Sequence, residues 1–483
     1  MNAATDSDPG RGAAARDRRY AFLTAAVTWV MFVLMAIPGN FDYSGAVSDT
    51  EGANPVTRAL WLAIFAICTV VILNRLAAAR RLFGHINVFF LLFVALACAS
   101  MFWSIDPDLT IRRLVRLLIM CSAFIAVAVA AWNPRRLQQV VRPVVTGLLL
   151  GSLIFGLARP DLAIHHELFP ELLGAWHGLF PTKNGLGAVA SFGFIFWMHA
   201  WLAREAGRAS ALFGLAISAS CLVLSRSSTS TMATALTALA LLLLLRSPGS
   251  MRRAVPYLAS GLIALILLYS LAMLKVVPGL EIILAPIPMI TGKDLTFSNR
   301  SEIWAAVVDH VRLRPLLGSG YSAYWSMGLP TPDMESYAVL VPLKGFYPGS
   351  SHNGYLQVLN DLGAVGLICL LGYLIVYFRQ SLRLYAIDRS QGALFLGLLL
   401  QQATINLTEP LWLNVLLIDF VLMSLATTLL ARALLEARTG ARLGGQRGSG
   451  RGPPMVRTPT ARRAGARRLV RPRSAPIEPA SDE

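Results

Sequence analysis

The stretch 352–378, HNGYLQVLNDLGAVGLICLLGYLIVYF, decides the fold class of this chain. It is one apolar run, interrupted only by Asn353, Gln357, Asn360 and Asp361. At about 1.5 Å per residue, such a run crosses a hydrocarbon core of roughly 30 Å with a turn or two to spare. The polar residues fall in the spare turns, at the end where His352 lies. We therefore predict a membrane-spanning helix with an ionisable side chain at its polar end.

Apolar runs of this kind recur along the whole chain. Of its 483 residues, 55% are hydrophobic and 14% are charged, which excludes an ordinary soluble protein and indicates a polytopic membrane protein. We predict an all-α fold with about twelve transmembrane helices. Their approximate spans are 20–37, 58–74, 86–103, 114–132, 141–158, 184–203, 210–225, 229–245, 254–276, 352–378, 391–408 and 411–432.

The positions of the arginines predict the orientation. Cytoplasmic loops of membrane proteins keep an excess of Lys and Arg. The loops 38–57, 104–111 and 405–410 contain no Lys or Arg, whereas the loops that alternate with them are rich in Arg. We therefore predict a multi-pass protein of the cytoplasmic (inner) membrane with both termini in the cytoplasm. The long loops 159–183 and 277–350 should then face outward.

This topology divides the chain into parts, beginning with a cytoplasmic N-terminal tail, 1–19, and transmembrane helices 1 to 9 in 20–276. A large external loop, 277–350, precedes helices 10 to 12 in 351–435, and a tail, 436–483, follows them. Residues 437–483 hold eleven Arg against three acidic residues, a net charge of +8 within the chain's +17. A composition so rich in Gly, Pro, Ser and Arg cannot bury a core, so we predict a disordered basic tail on anionic lipid headgroups and no nucleic-acid partner.

His352 is the leading catalytic candidate. With Ser350 or Ser351 as N-cap, it would lie in the first turn of helix 10, where the helix dipole favours the neutral imidazole. Neutral imidazole is the form that a general base needs. The alternative is a histidine that only decorates an interfacial helix end.

A second candidate lies in the external loop. The segment 299–304, NRSEIW, has a capping-box pattern with Asn299 as N-cap and Glu302 at N3, and apolar residues follow with helical period until Pro315. We predict an amphipathic helix with Arg300 in its first turn. A cation there opposes the helix dipole, so we expect an anion beside it, either a bound substrate or a nearby carboxylate.

Two more cationic positions border predicted spans on the outward side. Arg226 lies among hydroxyl residues in LSRSSTST, 224–231. Arginines at a membrane edge are functional by default, and a planar guanidinium suits phosphate oxygens, whereas snorkelling to the interface is the alternative. Lys183 and Asn184 occupy the matching place at the start of the sixth span, where a lysine alone is weak evidence.

Other kinds of site are disfavoured by the sequence. A loop cluster of histidines and carboxylates lacks the His-Glu-x-x-His spacing, so we expect no metal there; its members are His165, His166, His177, Asp161, Glu167 and Glu171. There is no Walker-type nucleotide loop, which argues against an ATP-driven pump, and we expect no cofactor. The five cysteines all lie in predicted spans, as packing residues with no disulfide framework.

Several short segments surround the large external loop in a characteristic order. They are FWSIDP at 102–107 with TIRR at 110–113, KNGLG at 183–187, LSRS at 224–227, RSEIW at 300–304 with PLLGSG at 315–320, SHN at 351–353 and LGAVGL at 362–367. Together they resemble the O-antigen ligase and polymerase family, which includes exopolysaccharide polymerases. That family often has His before the Lys-Asn pair, where this chain has Thr182.

The resemblance implies a GT-C-like, metal-independent, inverting membrane glycosyltransferase with an undecaprenyl-diphosphate-linked oligosaccharide as donor. It implies His352 as the base and Arg226 and Arg300 as ligands of the diphosphate. Further candidates for substrate binding are Lys183, Asn184, Asn353 and Arg112. The implied partners are a glycan or lipid acceptor and membrane lipids, with a chain-length regulator or a flippase as candidate protein partners.

Three functions are compatible with these observations. A polymerase joins lipid-linked repeat units, and a ligase moves finished polymer from the same donor onto lipid A core or another acceptor. A transporter or flippase usually shows two related halves with a site near the midplane, whereas the polar residues here gather at the outer edge. We favour an enzyme, because a base and fixed cations on one side of the membrane serve an acceptor hydroxyl and a departing diphosphate.

Overall fold

The computed structural model describes residues 9–37, 55–130, 133–166, 172–248, 300–326, 330–340 and 347–439, together with 254, 257, 261, 342, 343 and 345. This part of the chain is helical and contains no strand, only an isolated antiparallel bridge between Ile164 and Trp176. The predicted all-α membrane fold is therefore confirmed. The helices are α1 (Pro9–Ala36), α2 (Pro55–Asn74), α3 (Leu76–Phe83), α4 (Val88–Ala99), α5 (Pro107–Ala130), α6 (Arg136–Ala158), α7 (Pro160–Ala163), α8 (Lys183–Leu202), α9 (Arg208–Leu224), α10 (Ser228–Arg246), α11 (Arg300–Leu313), α12 (Gly354–Ile387), α13 (Arg389–Ile405) and α14 (Ile418–Thr439).

Eight of the described helices are long and apolar enough to cross a membrane, namely α1, α2, α5, α6, α8, α10, α12 and α14. The helices α3 and α4 pass the same test as a pair, but they are bent by 99° and form a broken span or a re-entrant loop. Helix α9 is shorter and apolar. Twelve spans stay a prediction. The helices at the predicted spans 210–225 and 391–408, α9 and α13, are each only 17 residues long, and α13 is not among the candidate spans. The predicted span 254–276 lies outside the described residues except at three positions. The basic tail from residue 440 onward also lies outside them.

Helix α12 is not the single continuous helix that the apolar run predicted. Gly363 has a left-handed φ of 64° and interrupts the helical backbone. The external loop fills the break: Pro315 O accepts a hydrogen bond from Ala364 N at 2.8 Å, and Ser319 N donates to Asn360 O at 3.0 Å. Backbone groups that a helix break leaves unpaired inside a membrane need hydrogen-bond partners within the protein. The external loop supplies these partners and so stabilises the break at Gly363.

The last span begins later than the predicted 411–432, because α14 starts at Ile418. Residues 406–417 form a loop whose base is Asn406. Its side-chain oxygen accepts hydrogen bonds from the backbone N of Leu411 and Trp412 at 2.9 and 2.6 Å. An asparagine that binds nearby backbone groups in this way competes with helix formation. We call residues 406–417 the 406–417 loop.

Helix α13 forms the centre of the bundle, since every side chain from Gln391 to Ile405 is buried, mainly between α10 and α12. At its first end, Arg389 donates to Leu244 O at 2.7 Å, and Ser390 O lies 2.9 Å from His199 Nε2. The arginine-rich loops that we predict to be cytoplasmic meet at this end. The 406–417 loop follows the other end of α13, where the starts of α8, α10 and α12 gather.

The amphipathic helix predicted in the external loop is confirmed as α11. Its apolar side chains Ile303, Trp304 and Val307 are buried in a cluster with aromatic and aliphatic residues of the same loop and with Leu356 of α12. The apolar stripe thus holds the helix against the membrane domain. The predicted cap, Asn299, lies outside the described residues.

We expect a cysteine introduced at Asp333 to react with a membrane-impermeant maleimide in intact cells, because Asp333 is exposed in the loop predicted to face outward. A cysteine at Ser474, in the predicted cytoplasmic tail, should react only after lysis. The unaltered chain gives the background, which should be low because its five cysteines are buried or half-buried. Labelling of the tail in intact cells would reverse the predicted orientation.

Candidate active site

One carboxylate, at the end of the bundle that we predict to face outward, contacts or faces three of the predicted site residues. Asn184 Nδ2 donates to Glu409 Oε1 at 2.7 Å, and Arg300 Nη2 donates to the same oxygen at 3.1 Å. His352 Nδ1 lies 3.9 Å from the other oxygen, Oε2. We call Asn184, Arg300, His352 and Glu409 the outer cluster. Its first three members were predicted from the sequence, and Glu409 was not.

Arg300, a cation in the first turn of α11, lies beside an anion, as the sequence predicted, and this anion is Glu409. Besides the bond to Glu409, its Nη1 donates to Thr408 O at 2.6 Å. Of the two anions expected beside Arg300, the structure therefore shows the nearby carboxylate. Both side chains are only partly buried, with 19% of the Arg300 side chain and 13% of the Glu409 side chain exposed, so the pair is open to solvent on one side.

His352 does not lie in the first turn of helix 10, and the predicted caps Ser350 and Ser351 are wrong. The N-cap is Asn353, whose Oδ1 accepts hydrogen bonds from Tyr355 N and Leu356 N, each at 3.0 Å. His352 precedes the cap with a left-handed φ of 46°. A side chain with a Cβ rarely adopts this conformation, and such residues concentrate at functional sites. His352 therefore stands before the helix and not in its first turn.

The turn that carries His352 is fixed from two sides. Trp304 Nε1 of α11 donates to Ser351 O at 2.9 Å, and Ser351 N donates to Gln357 Oε1 of α12 at 3.1 Å. Since Arg300 also belongs to α11, this external helix positions both a cation and the turn of the imidazole. The packing of α11 thus couples two residues of the outer cluster.

Asn353 has a structural role and is not a free substrate ligand. The side chain is buried. Its Oδ1 accepts the two hydrogen bonds of the N-cap, and its Nδ2 donates to Leu407 O at 3.2 Å. The neighbouring Gly354 N donates to Asn406 O at 2.9 Å. These bonds tie the start of α12 to the 406–417 loop, which carries Glu409.

Arg226 lies on the turn between α9 and α10. Its side chain is exposed, its φ is 50°, and its Nη1 donates to Leu173 O at 2.7 Å. The same turn leads to Thr229, whose hydroxyl accepts a hydrogen bond of 2.8 Å from Thr408 Oγ1. The turn of Arg226 is thus linked to the 406–417 loop through Thr229, whereas the Arg226 guanidinium itself binds Leu173 O.

Lys183 begins α8 and is half-buried beside Asn184. The preceding Thr182, where the family often has His, is the N-cap of this helix and accepts a hydrogen bond from Gly185 N at 3.1 Å. Thr182 therefore serves the helix start, which in turn places Asn184 on Glu409.

Arg112 stands apart from the outer cluster within the residues that the structure describes. It is exposed on α5, whereas the adjacent Arg113 is buried and donates to the carbonyls of Ser322 and Trp325 in the external loop. Of the two arginines in the TIRR segment, the buried one contacts the loop. We find no geometric support for Arg112 as a substrate ligand.

The histidine cluster that we considered as a metal site is partly described. The His165 and His177 rings lie 4.8 Å apart, and His177 Nδ1 is 2.7 Å from Phe180 O. Glu167 and Glu171 lie outside the described residues. Elsewhere in the described ranges, no group of three or more His, Cys, Asp or Glu is arranged to hold a metal ion.

A second charged group holds the external loop together. Arg314 donates to both oxygens of Glu335 at 2.6 and 2.8 Å, and His310 Nε2 lies 2.6 Å from Glu335 Oε2. Burial acts to raise the pKa of Glu335, but the hydrogen bonds from Arg314 and His310 outweigh it and hold that pKa below its ordinary value. His310 Nδ1 also lies 2.9 Å from Asn360 Oδ1 of α12. This group fixes the loop to the membrane domain.

Glu409 was missed because its partners are distant in sequence. One signal was available: it is the only charged residue of the 405–410 loop, INLTEP, between two apolar spans on the outward side. A carboxylate at such a place is a functional candidate by default.

The arrangement can bind an anion beside a base. Guanidinium and amide donors converge on one point, and an imidazole faces the same point from a second side. Comparison with known proteins indicates which family these residues resemble. Residues 213–371 match the family model described as O-antigen ligase, and this stretch contains Arg226, Arg300 and His352. The exopolysaccharide production protein ExoQ of Rhizobium meliloti (strain 1021) is 27% identical over 364 residues, which cover 70% of this chain and 73% of that protein. The resemblance noted in the motifs is thereby confirmed: the chain is similar to O-antigen ligases over residues 213–371 and to an exopolysaccharide production protein over most of its length.

Proposed function

We propose that the chain is a glycosyltransferase that acts on undecaprenyl-diphosphate-linked glycans at the outer face of the cytoplasmic membrane. The observation that carries the proposal is the convergence of Arg300, Asn184 and His352 on one carboxylate. Donors that bind a carboxylate oxygen also suit the oxygens of a diphosphate, because both anions accept the same charge-assisted hydrogen bonds. A base beside such an anion site is the arrangement that glycosyl transfer from a diphosphate requires.

The reaction uses only substrate bonds. The acceptor hydroxyl attacks the anomeric carbon of the donor sugar, a new carbon–oxygen bond forms, and the bond between that carbon and the diphosphate oxygen breaks with inversion. His352 takes the hydroxyl proton, and Arg300, with Arg226 as a second candidate ligand, stabilises the negative charge that moves onto the diphosphate. Cleavage of the bond between the anomeric carbon and the diphosphate oxygen supplies the free energy, and undecaprenyl diphosphate leaves intact.

We place polymerisation of exopolysaccharide repeat units first, because the relative that covers most of this chain is named for exopolysaccharide production. Ligation of a finished polymer to lipid A core or another acceptor is the second candidate, and the description of the matching family favours it. The two reactions share the donor and differ in the acceptor.

Purified protein in proteoliposomes, supplied with a synthetic undecaprenyl-diphosphate-linked repeat unit, tests the proposal. A polymerase should give a ladder of lipid-linked oligomers. A ligase should give a single transfer step, and only after addition of a lipid A core acceptor. Movement of the donor across the vesicle membrane with no new glycosidic bond would contradict the proposal and identify a transporter.

We expect chelation of divalent metals to leave this activity unchanged. The cations proposed for the diphosphate are arginines, which stay charged at any physiological pH. Turnover would be measured with and without a chelator, after dialysis against the same chelator. Loss of turnover that Mg²⁺ or Zn²⁺ restores would contradict the prediction and direct attention to His165, His166 and His177.

A further inference from the structure

Glu409 holds a position that the proposed reaction does not yet use. It accepts from Arg300 and Asn184 through one oxygen and faces His352 with the other. We propose that Glu409 is a carboxylate switch: the donor diphosphate displaces it from Arg300 and Asn184, and it then turns to His352 Nδ1 and positions the base. The inference rests on the proposed function and assigns Glu409 as a positioning residue for that reaction.

The first half of the switch is a competition for the same donors. Arg300 Nη2 and Asn184 Nδ2 both bind Glu409 Oε1, at 3.1 and 2.7 Å. A diphosphate oxygen that accepts hydrogen bonds from these two N–H donors must take the position that Glu409 Oε1 now occupies. Two anions a few ångströms apart also repel each other at a half-buried site. The incoming diphosphate therefore weakens the hold of Arg300 and Asn184 on Glu409.

The second half is a short movement toward His352. Its Nδ1 is buried and has no hydrogen-bond partner in the part of the chain that the structure describes. Glu409 Oε2 lies 3.9 Å away, about 1 Å beyond hydrogen-bond distance. A carboxylate that accepts from Nδ1–H fixes the tautomer and leaves the lone pair of Nε2 for the acceptor proton. A buried ring nitrogen that faces an oxygen just out of reach is the observation that points to this partner.

The backbone of the 406–417 loop allows this movement to be confined to the Glu409 side chain. Glu409 N donates to Ile405 O at 3.0 Å, and Leu411 N donates to Glu409 O at 3.1 Å. Asn406 fixes the base of the loop, as described above. A change of rotamer within a fixed loop is therefore enough to move the carboxylate from one partner to the other.

The consequence is an order of events. His352 acquires its carboxylate partner only after the diphosphate has taken Arg300 and Asn184. His352 is therefore oriented by Glu409 only when a donor is bound. When an acceptor binds alone, His352 lacks its carboxylate partner. This ordering protects against unproductive proton transfer at an open outer site.

Glu409→Gln separates the two halves in one variant. Gln keeps the size and an acceptor oxygen but removes the competing charge, so the KM for the lipid-linked donor and the inhibition constant of inorganic pyrophosphate should both fall, by about 5-fold or more. The kcat should fall at least about 10-fold, because a neutral amide orients the imidazole poorly. Tighter anion binding with slower turnover is a combination that simple misfolding does not produce. Glu409→Asp, which keeps the charge on a shorter side chain, should recover part of the kcat.

Two matched variants control for charge and for structure. Asp309→Asn removes an exposed carboxylate from α11, where Asp309 pairs only with Arg312 in the described contacts. It should change neither the KM for the lipid-linked donor nor the inhibition constant of pyrophosphate. Glu335→Gln removes a carboxylate that also serves an arginine and a histidine, but away from the outer cluster. It should lower the melting temperature and leave the pyrophosphate constant unchanged.

Several outcomes would overturn the switch. Pyrophosphate that binds Glu409→Gln no more tightly than the unaltered protein would show that Glu409 does not compete with the anion. Weaker pyrophosphate binding together with a lower kcat would make Glu409 a scaffold for Arg300. If the unaltered protein transfers no sugar, the proposed function fails, and titration calorimetry with inorganic pyrophosphate on the two proteins still decides the competition.

Discussion

Replacement of His352 by Ala is expected to abolish glycan transfer in a protein that still inserts into the membrane. General-base assistance is worth about 100- to 10,000-fold in rate, and the outer cluster offers no second group at the same place. The side chain of His352 is 27% exposed, so its loss removes little packing. A backbone in the left-handed region suits Asn better than Ala, so His352→Asn is the matched variant that preserves the turn.

Transfer from a lipid-linked donor by the purified variants measures this effect directly. In cells, loss of a polymerase should cause single lipid-linked repeat units to accumulate, whereas loss of a ligase should cause lipid-linked long chains to accumulate. Membrane levels and melting temperature of both variants serve as the controls. Normal amount and chain length of the surface polysaccharide in either variant would show that His352 is not the base.

Replacement of Arg300 by Ala should lower kcat by about 100- to 1,000-fold, the range found when one preorganised charge-stabilising donor is removed. Arg300→Lys should recover only part of the loss, because an ammonium keeps the charge but not the planar fork that now reaches both Thr408 O and Glu409. Turnover of the lipid-linked donor at saturating acceptor gives the comparison. Arg312→Ala removes an exposed arginine from the same helix and should have no effect.

Arg300 also neutralises Glu409, so the single variant mixes two effects. The double variant Arg300→Ala with Glu409→Gln separates them, because residues in direct contact are not additive. If Arg300 acts on the diphosphate, the double variant should be at least as inactive as Arg300→Ala. Recovery of the double variant to the activity of Glu409→Gln alone would instead mean that Arg300 serves only to balance Glu409.

Backbone strain coincides with the candidate site. In the described part of the chain, the residues other than glycine with positive φ are Arg204, Arg226, Ser322, His352 and Leu413. Two of them are the predicted base and a predicted diphosphate ligand. Such conformations cost on the order of 1 kcal/mol or more and persist where surrounding contacts impose them. The hydrogen bond from Trp304 Nε1 to Ser351 O and the one from Ser351 N to Gln357 Oε1 are contacts of this kind for His352.

Local sequence signals were sufficient to predict the membrane class, the amphipathic helix α11 and three of the four residues of the outer cluster as candidates. Long apolar runs predict spans because a bilayer has a fixed thickness, and a capping pattern followed by helical periodicity predicts α11 because both act within a few residues. Arg300, Asn184 and His352 could be selected one by one, since each is a polar group at the edge of an apolar run.

Only the tertiary structure decided how these residues meet. The N-cap of α12 is Asn353 and not the predicted Ser350 or Ser351, and the Asn353 side-chain amide also donates to Leu407 O. The break at Gly363 is stabilised by the distant Pro315, whose carbonyl accepts a hydrogen bond from Ala364 N. The sequence marks Glu409 only as the one charged residue of its loop and gives no indication of its partners. Its importance comes from side chains that lie far away along the chain and converge on it through packing of α8, α11 and α12 around the 406–417 loop. Hydrogen bonds and charges act through space over a few ångströms, so sequence spacing carries no information about them once a chain crosses the membrane several times.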